Sequence, residues 1–150
     1  MYLYVRSKMS KCSVFAVSFL SLIGMSACSP EIKQEERVMA TAQKYYEHLA
    51  NGDYNSFVDG TVNSQDTLPV NYREQLVLNA KMYVERMQNE HQGIRSVKAM
   101  RAQVDTLKAN NSDEIVAITA RAFVALGFAD STKEEVLVPM VLKDDVWYLR

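Results

Sequence analysis

The sequence predicts an α+β domain in two layers, three helices followed by a four-stranded antiparallel sheet that the helices cover on one face. Three observations predict it. The spacing of apolar residues changes from about 3.6 to 2 after Gly93. The segments beyond that change are joined by turns too short for anything but antiparallel neighbours. Three of the four glycines after residue 27, Gly52, Gly60 and Gly93, stand where a helical pattern stops.

The first helix follows a short polar stretch, Ser29 to Glu36, that contains Pro30. Its apolar residues recur at Val38, Ala42, Tyr45, Tyr46 and Leu49, one face of a helix. Asn51-Gly52 closes it, because glycine readily takes the left-handed conformation that ends a helix. Asp53 is placed to cap a second, shorter helix with Tyr54, Phe57 and Val58 on its inner side, ended by Gly60. Thr61 to Pro69 carries Asn63, Ser64 and Asp66 and reads as a loop. The third helix sets Tyr72, Leu76, Ala80, Tyr83 and Met87 on one face and stops at Gly93.

In the sheet, Val97 to Leu107 alternates, with Met100, Ala102 and Val104 on one side and Arg101, Gln103 and Asp105 on the other. A turn at 110–113 leads to the long strand Glu114 to Leu126, and Ala129 to Thr132 turns again into the strand Glu134 to Leu142. Lys143-Asp144-Asp145 then leads into Val146 to Arg150. Pro139 lacks an N–H, which predicts an edge position or a bulge for its strand. Leu137 and Val141 oppose Val136, Val138, Met140 and Leu142, so this strand is apolar on both faces. Its second face needs cover, which a homodimer through the sheet would supply.

The N-terminus reads as an export signal. Arg6, Lys8 and Lys11 precede an apolar run from Val14 to Ile23, within the roughly 7–15 residues of a signal-peptide core. It falls short of the about 20 residues that a spanning helix needs. Met9 offers a second start that keeps Lys11, the run and the cleavage site. Gly24-Met25-Ser26-Ala27-Cys28 resembles the lipobox of bacterial lipoproteins; Ser26 and Ala27 fit its small residues, and Met25 departs from the usual leucine. The resemblance implies cleavage before Cys28, a diacylglycerol on its thiol and a third acyl chain on its amine. Each buried methylene contributes about 0.8 kcal/mol to partitioning, so several chains together hold a protein firmly in a membrane. Ser29 replaces the aspartate that retains enteric lipoproteins at the inner membrane, which by the same analogy points to the outer membrane of a bacterial cell envelope. The organisation expected is a signal peptide over 1–27, a lipidated cysteine and tether over 28–34, and a domain over 35–150.

Composition bounds the rest. Without residues 1–27 there remain 123, one domain's worth. The signal takes three of the 17 basic residues and none of the 18 acidic ones, leaving a charge of −4 and no basic stripe to suit nucleic acid. The two cysteines are Cys12, inside the signal, and Cys28, so no intramolecular disulfide is expected. His48 and His91 are the only histidines, and no close His–carboxylate constellation accompanies them in the sequence. No metal or cofactor is expected, and with no nucleophile motif no catalytic residue is assigned.

The string Tyr45-Tyr46-Glu47-His48-Leu49-Ala50-Asn51-Gly52-Asp53-Tyr54 resembles the opening helix-turn-helix of nuclear transport factor two-like, cystatin-like domains. Asp144-Asp145-Val146-Trp147-Tyr148-Leu149 resembles their final hairpin, and the order of elements agrees across residues 35–150. Within that superfamily the nearest likeness is to small bacterial lipoproteins of unknown function described as lumazine-binding-like. The resemblance implies a strongly curved sheet wrapped around the helices to leave a cone-shaped cavity. Some members are isomerases or dehydratases, and many only bind.

Candidate residues follow from these two readings. Asp105 and Arg121, with Gln103 beside the first, are the polar sheet residues whose alternation would turn them into the cone; the same parity fits a solvated face. His48 lies near the end of the first helix, where the dipole favours it. Tyr45, Tyr46, Tyr72, Tyr83, Phe123 and Trp147 supply pocket walls, although tyrosines at helical spacing also read as core. The candidate pocket is Tyr46, Tyr83, Asp105, Arg121 and Trp147, with Trp147 sharing a face with Leu149 and packing on the first or third helix near Tyr46 or Tyr83. The expected function is a non-catalytic envelope lipoprotein domain that binds a small apolar ligand or an envelope protein. The alternative is a small isomerase- or dehydratase-type enzyme, which a cavity containing Asp105 or His48 would favour.

Overall fold

The computed structural model describes residues 33–61, 69–110 and 112–150. The signal segment, Cys28 and most of the expected loop before Pro69 lie outside the described residues. Helix α1 (Gln34–Ala50) buries Val38, Ala42 and Leu49, with Tyr45 and Tyr46 half-buried beside them. Asn51 closes it, donating its N–H to the Glu47 carbonyl, and Gly52 follows at φ +79°, a conformation that costs glycine nothing. Asp53 then caps α2 (Tyr54–Asp59) by accepting the Ser56 N–H at 3.2 Å.

Gly60 ends α2 as expected but for a different reason. Its φ of −77° suits any residue, whereas a Cβ there would overlap the ring of Tyr45. The missing side chain is what lets the ring of α1 lie against the end of α2. Helix α3 (Val70–His91) ends through Gln92 at φ +62° and Gly93 at φ +99°. It buries only Ala80 and Met87 and leaves Val70, Tyr72, Leu78 and Met82 exposed, so Tyr72 joins no core. No helix among the described residues is long and apolar enough to cross a membrane.

Strands β1 (Ile94–Lys108), β2 (Ile115–Phe128), β3 (Lys133–Lys143) and β4 (Val146–Leu149) pair antiparallel in sequence order. The fold class is therefore the α+β meander sheet with helices on one face that the change of period predicts. The inward face of β2 carries Ala120, Ala122, Val124, Leu126 and Phe128, packed with Val138, Met140, Trp147 and Leu149 and with Val38 and Ala42 of α1.

Strand β1 departs from the simple alternation. Ala99 pairs with Val124 and Arg101 with Phe123, so Met100 is an extra residue in a bulge. It turns outward, 51% exposed, and the inward set becomes Val97, Ala99, Ala102 and Val104. The expected grouping of Met100 with Ala102 and Val104 is thus corrected. Bulges bend a strand and increase its twist, and register shifts at three places in the β1–β2 ladder curve the sheet over the helices. Gln43 of α1 accepts the Ala99 N–H at 3.1 Å, tying the helix to the bulged segment.

Pro139 sits in β3, which is interior by strand order. Yet β4 pairs only with Met140 to Lys143, and the Arg150 N–H donates to the Pro139 carbonyl at 3.0 Å. The bond that a proline cannot return falls where the ladder ends, which makes this segment an edge locally. Asp144 and Asp145, at φ +50° and +60°, form a two-residue turn of the kind that matches strand twist. Arg37 of α1 holds that turn through the Asp145 carboxylate at 3.1 Å and its carbonyl at 2.7 Å.

Trp147, 2% exposed, shares the inward face with Leu149 as expected. It docks on α1, one of the two expected helices, but not beside Tyr46. The indole N–H donates to Gln34 at 3.2 Å, in the first turn of α1. Twelve residues of helix, roughly 18 Å at 1.5 Å per residue, separate that turn from Tyr46. Replacing a buried Trp by Ala typically costs about 3–5 kcal/mol, against a total of about 5–15 kcal/mol for a domain. Trp147→Ala, in a chain starting at Ser29, will therefore lower the urea midpoint far more than Tyr148→Ala, whose side chain has the opposite parity. A costlier Tyr148 would mean a register one residue out.

Candidate functional site

Four elements converge on one cleft. Tyr46 and Leu49, three residues apart, share a face of α1; Phe57 comes from α2 and Tyr83 from α3. Glu134 and Val136 alternate along the start of β3 and so point the same way. Together these residues line a cavity of about 260 Å³. The Tyr46 and Phe57 rings meet edge to face at 90°, centroids 5.8 Å apart, and form a right-angled apolar corner.

Glu134 is the one charged residue among the described lining residues; its backbone lies in the ladder opposite Leu126, and its carboxylate forms no hydrogen bond or ion pair with another described residue. Its rim position keeps the carboxylate in contact with water. Burial pushes the Tyr46 hydroxyl up to about 12, and the negative charges of ionised Tyr83 and Glu134 add to the effect. Burial and Glu134 also raise Tyr83, with Arg86 opposing them. Both phenols thus remain protonated and able to donate at neutral pH. The Arg86 guanidinium stands 5.4 Å from the Tyr83 centroid and lines a neighbouring hollow with Asn79 and Met82.

Of the five residues expected to form a pocket, the structure brings Tyr46 and Tyr83 together and leaves three elsewhere. Trp147 lies at the other end of α1. Asp105 and Arg121 form an ion pair at 3.1 Å on the opposite face of the sheet, their side chains 40% and 48% exposed. Arg121 lies between Ala120 and Ala122, both buried against the helices, so alternation forces it outward. Gln103 donates to Asp105 at 3.4 Å on that same face. Phe123 is there too, beneath the Arg101 guanidinium at 3.8 Å, with Glu135 pairing Arg101. Tyr45 packs against Gly60 rather than into the cleft.

Each histidine meets one aspartate in space, a pairing that residue spacing in the sequence does not show. His48 Nδ1 stands 3.1 Å from Asp53, whose carboxyl is held below its ordinary range by the Ser56 hydrogen bonds first and by His48 after them. His91 Nδ1 stands 2.9 Å from Asp130, and its ring stacks on Phe128 at 4.6 Å. Hydrogen bonds from Thr132, then His91, hold the Asp130 carboxyl down to about 2. Both pairs fasten helix ends. No group of three or more His, Cys, Asp and Glu suited to a metal ion occurs among the described residues.

The sequence reading missed Glu134, Leu49, Phe57 and Val136 as cleft residues. A signal for the first existed: Glu134 has the parity of Val136, Val138 and Met140, the inward-facing series of its strand.

Fold and cleft define an α+β domain with a small aromatic recess and a single carboxylate at its rim. No family model and no curated protein matches the sequence. Among solved structures, the chain is similar to a Campylobacter jejuni protein provisionally named an NTF2-like transpeptidase. The two are 16% identical with a TM-score of 0.48, over 73% of this chain and 94% of that one.

The raised Tyr46 value gives a test of the cleft. Its folded value, about 12, lies above the unfolded value near 10, so the associated stability is complete below pH about 10 and is lost as pH rises towards 12. In an alkaline titration followed by tyrosinate absorbance, Tyr46→Phe will lack the latest ionising step. Its stability will also fall less steeply than wild type over that window. Retention of the late step by the variant would show that Tyr46 is not the buried phenol.

Proposed function

We propose that this chain is a lipid-anchored envelope lipoprotein whose domain, of the nuclear transport factor two-like type and nearest the lumazine-binding-like lipoproteins, binds a small molecule in the Tyr46–Tyr83 cleft without transforming it. The observation that carries the binding reading is the cleft itself: an apolar corner of rings with one carboxylate and two phenols. Ligand sites combine such walls with few polar groups. At about 260 Å³ the cleft lies just below the roughly 300–1,000 Å³ range for drug-sized ligands, which suits a smaller molecule.

Binding is favoured over catalysis by the state of the groups at hand. A general acid or base works best with a pKa near the operating pH, and Tyr46 is displaced to about 12. Asp105, Arg121 and His48 stand outside the cleft. The anchor rests on the sequence, on the charged start, the short apolar run and Cys28 behind Ser26-Ala27; Ser29 supports an outer-membrane destination. A homodimer through the outer sheet face belongs to the same reading, since Leu137 is 50% exposed there beside Val141.

Metabolic labelling with an alkyne fatty acid tests the anchor: wild type will be labelled and Cys28→Ala will not, and equal labelling of both would refute it. Native mass spectrometry of the full chain extracted from its own membrane tests the binding. The expected spectrum shows a small-molecule adduct that the Tyr46→Ala, Tyr83→Ala double variant loses. Ligand-free wild type, or an adduct that survives the double substitution, would overturn the reading. The same spectrum reports whether the chain is dimeric.

A further inference from the structure

We propose that the cleft between α1, α2, α3 and β3 selects small organic cations, an ammonium group on an apolar body, over uncharged molecules of the same shape. This rests on the reading of the cleft as a binding site and names its ligand class. Three rings from three different helices face the space, and two of them, Tyr46 and Phe57, stand at 90° to one another, so that a guest in the corner meets the edge of one and the face of another. Aromatic faces carry negative charge density, and sets of them bind quaternary ammonium groups.

The charge distribution points the same way. Glu134 closes the cleft on the strand side, and no lysine, arginine or histidine is among the described lining residues. Three other acidic groups of the sheet and its turns are matched: Asp105 by Arg121, Glu135 by Arg101, Asp145 by Arg37. Glu134 has no such partner among the described residues. Arg86, the basic group at Tyr83, faces the neighbouring hollow. A bound anion would lie against an uncompensated carboxylate, and a neutral guest would leave it without a counter-charge. A cation pairs with it at the rim while its apolar body meets the rings.

The test uses the full-length protein and two probes, choline and its uncharged carbon isostere, in which a tert-butyl group replaces the trimethylammonium. Amide chemical shifts of Tyr46, Tyr83 and Val136 report occupancy. Choline is expected to saturate these shifts with an affinity at least about tenfold above that of the isostere. Glu134→Gln, at an exposed rim position, is expected to reduce the preference severalfold, the remainder coming from the rings, and an unchanged amide spectrum away from the cleft shows that the variant is folded. Equal affinities in wild type would overturn the cation preference and leave the binding reading standing. Absence of shifts with both probes would overturn the two together. A preference undiminished in Glu134→Gln would overturn the role of the carboxylate.

Discussion

One contact organises the domain: the buried stripe of α1, Val38 and Ala42, against the inward face of β1 and β2, where Ala120, Ala122 and Val124 of β2 alternate with outward residues. Three of these five side chains are single methyl groups, all between 0 and 3% exposed. Small residues on both sides let the helix approach the sheet closely, and dense packing leaves little freedom for either to shift. With α1 held there, its two ends serve different purposes. The first turn receives Trp147 and the β3–β4 turn through Gln34 and Arg37, and the last turns present Tyr46 and Leu49 to the cleft.

The remaining walls are positioned by contacts that do not touch the cleft's interior. Tyr45 occupies the space left by Gly60, which fixes the far end of α2 on α1 and so fixes Phe57. The His48–Asp53 pair bridges the end of α1 and the start of α2. The His91–Asp130 pair ties the end of α3 to the β2–β3 turn, a few residues before Glu134. The two histidines are thus braces for the recess rather than parts of its chemistry.

A carboxylate and two phenols in an apolar recess are tolerable because of where each lies. Burying an unpaired carboxylate would be costly, but Glu134 stands at the start of β3, on the rim. The phenols carry no charge over the ordinary pH range, as the upward displacement of both Tyr46 and Tyr83 requires. The opposite face of the sheet takes its charges in complementary pairs, Asp105 with Arg121 and Arg101 with Glu135, and Arg101 covers Phe123, so that little of that aromatic surface remains open.

The elements and the helix ends were legible in the sequence because their causes are local: Gly52 and Gly93 at positive φ, Asp53 reaching Ser56, the change of period after Gly93, and the turn residues Lys143-Asp144-Asp145 before the last strand. The relative parity of Trp147 and Leu149 was legible for the same reason. Absolute facing was not. Alternation says that Arg121 opposes Ala120 and Ala122, but the helices decide which side is inward, and they pack on the alanines. The bulge at Met100 carries no residue signal, since it depends on how β1 meets β2. The depth at which Trp147 docks was set by Gln34, 113 positions away in the chain. The cleft joins residues from α1, α2, α3 and β3, and Glu134 became a site residue only when packing brought its strand's inward face against three aromatic rings.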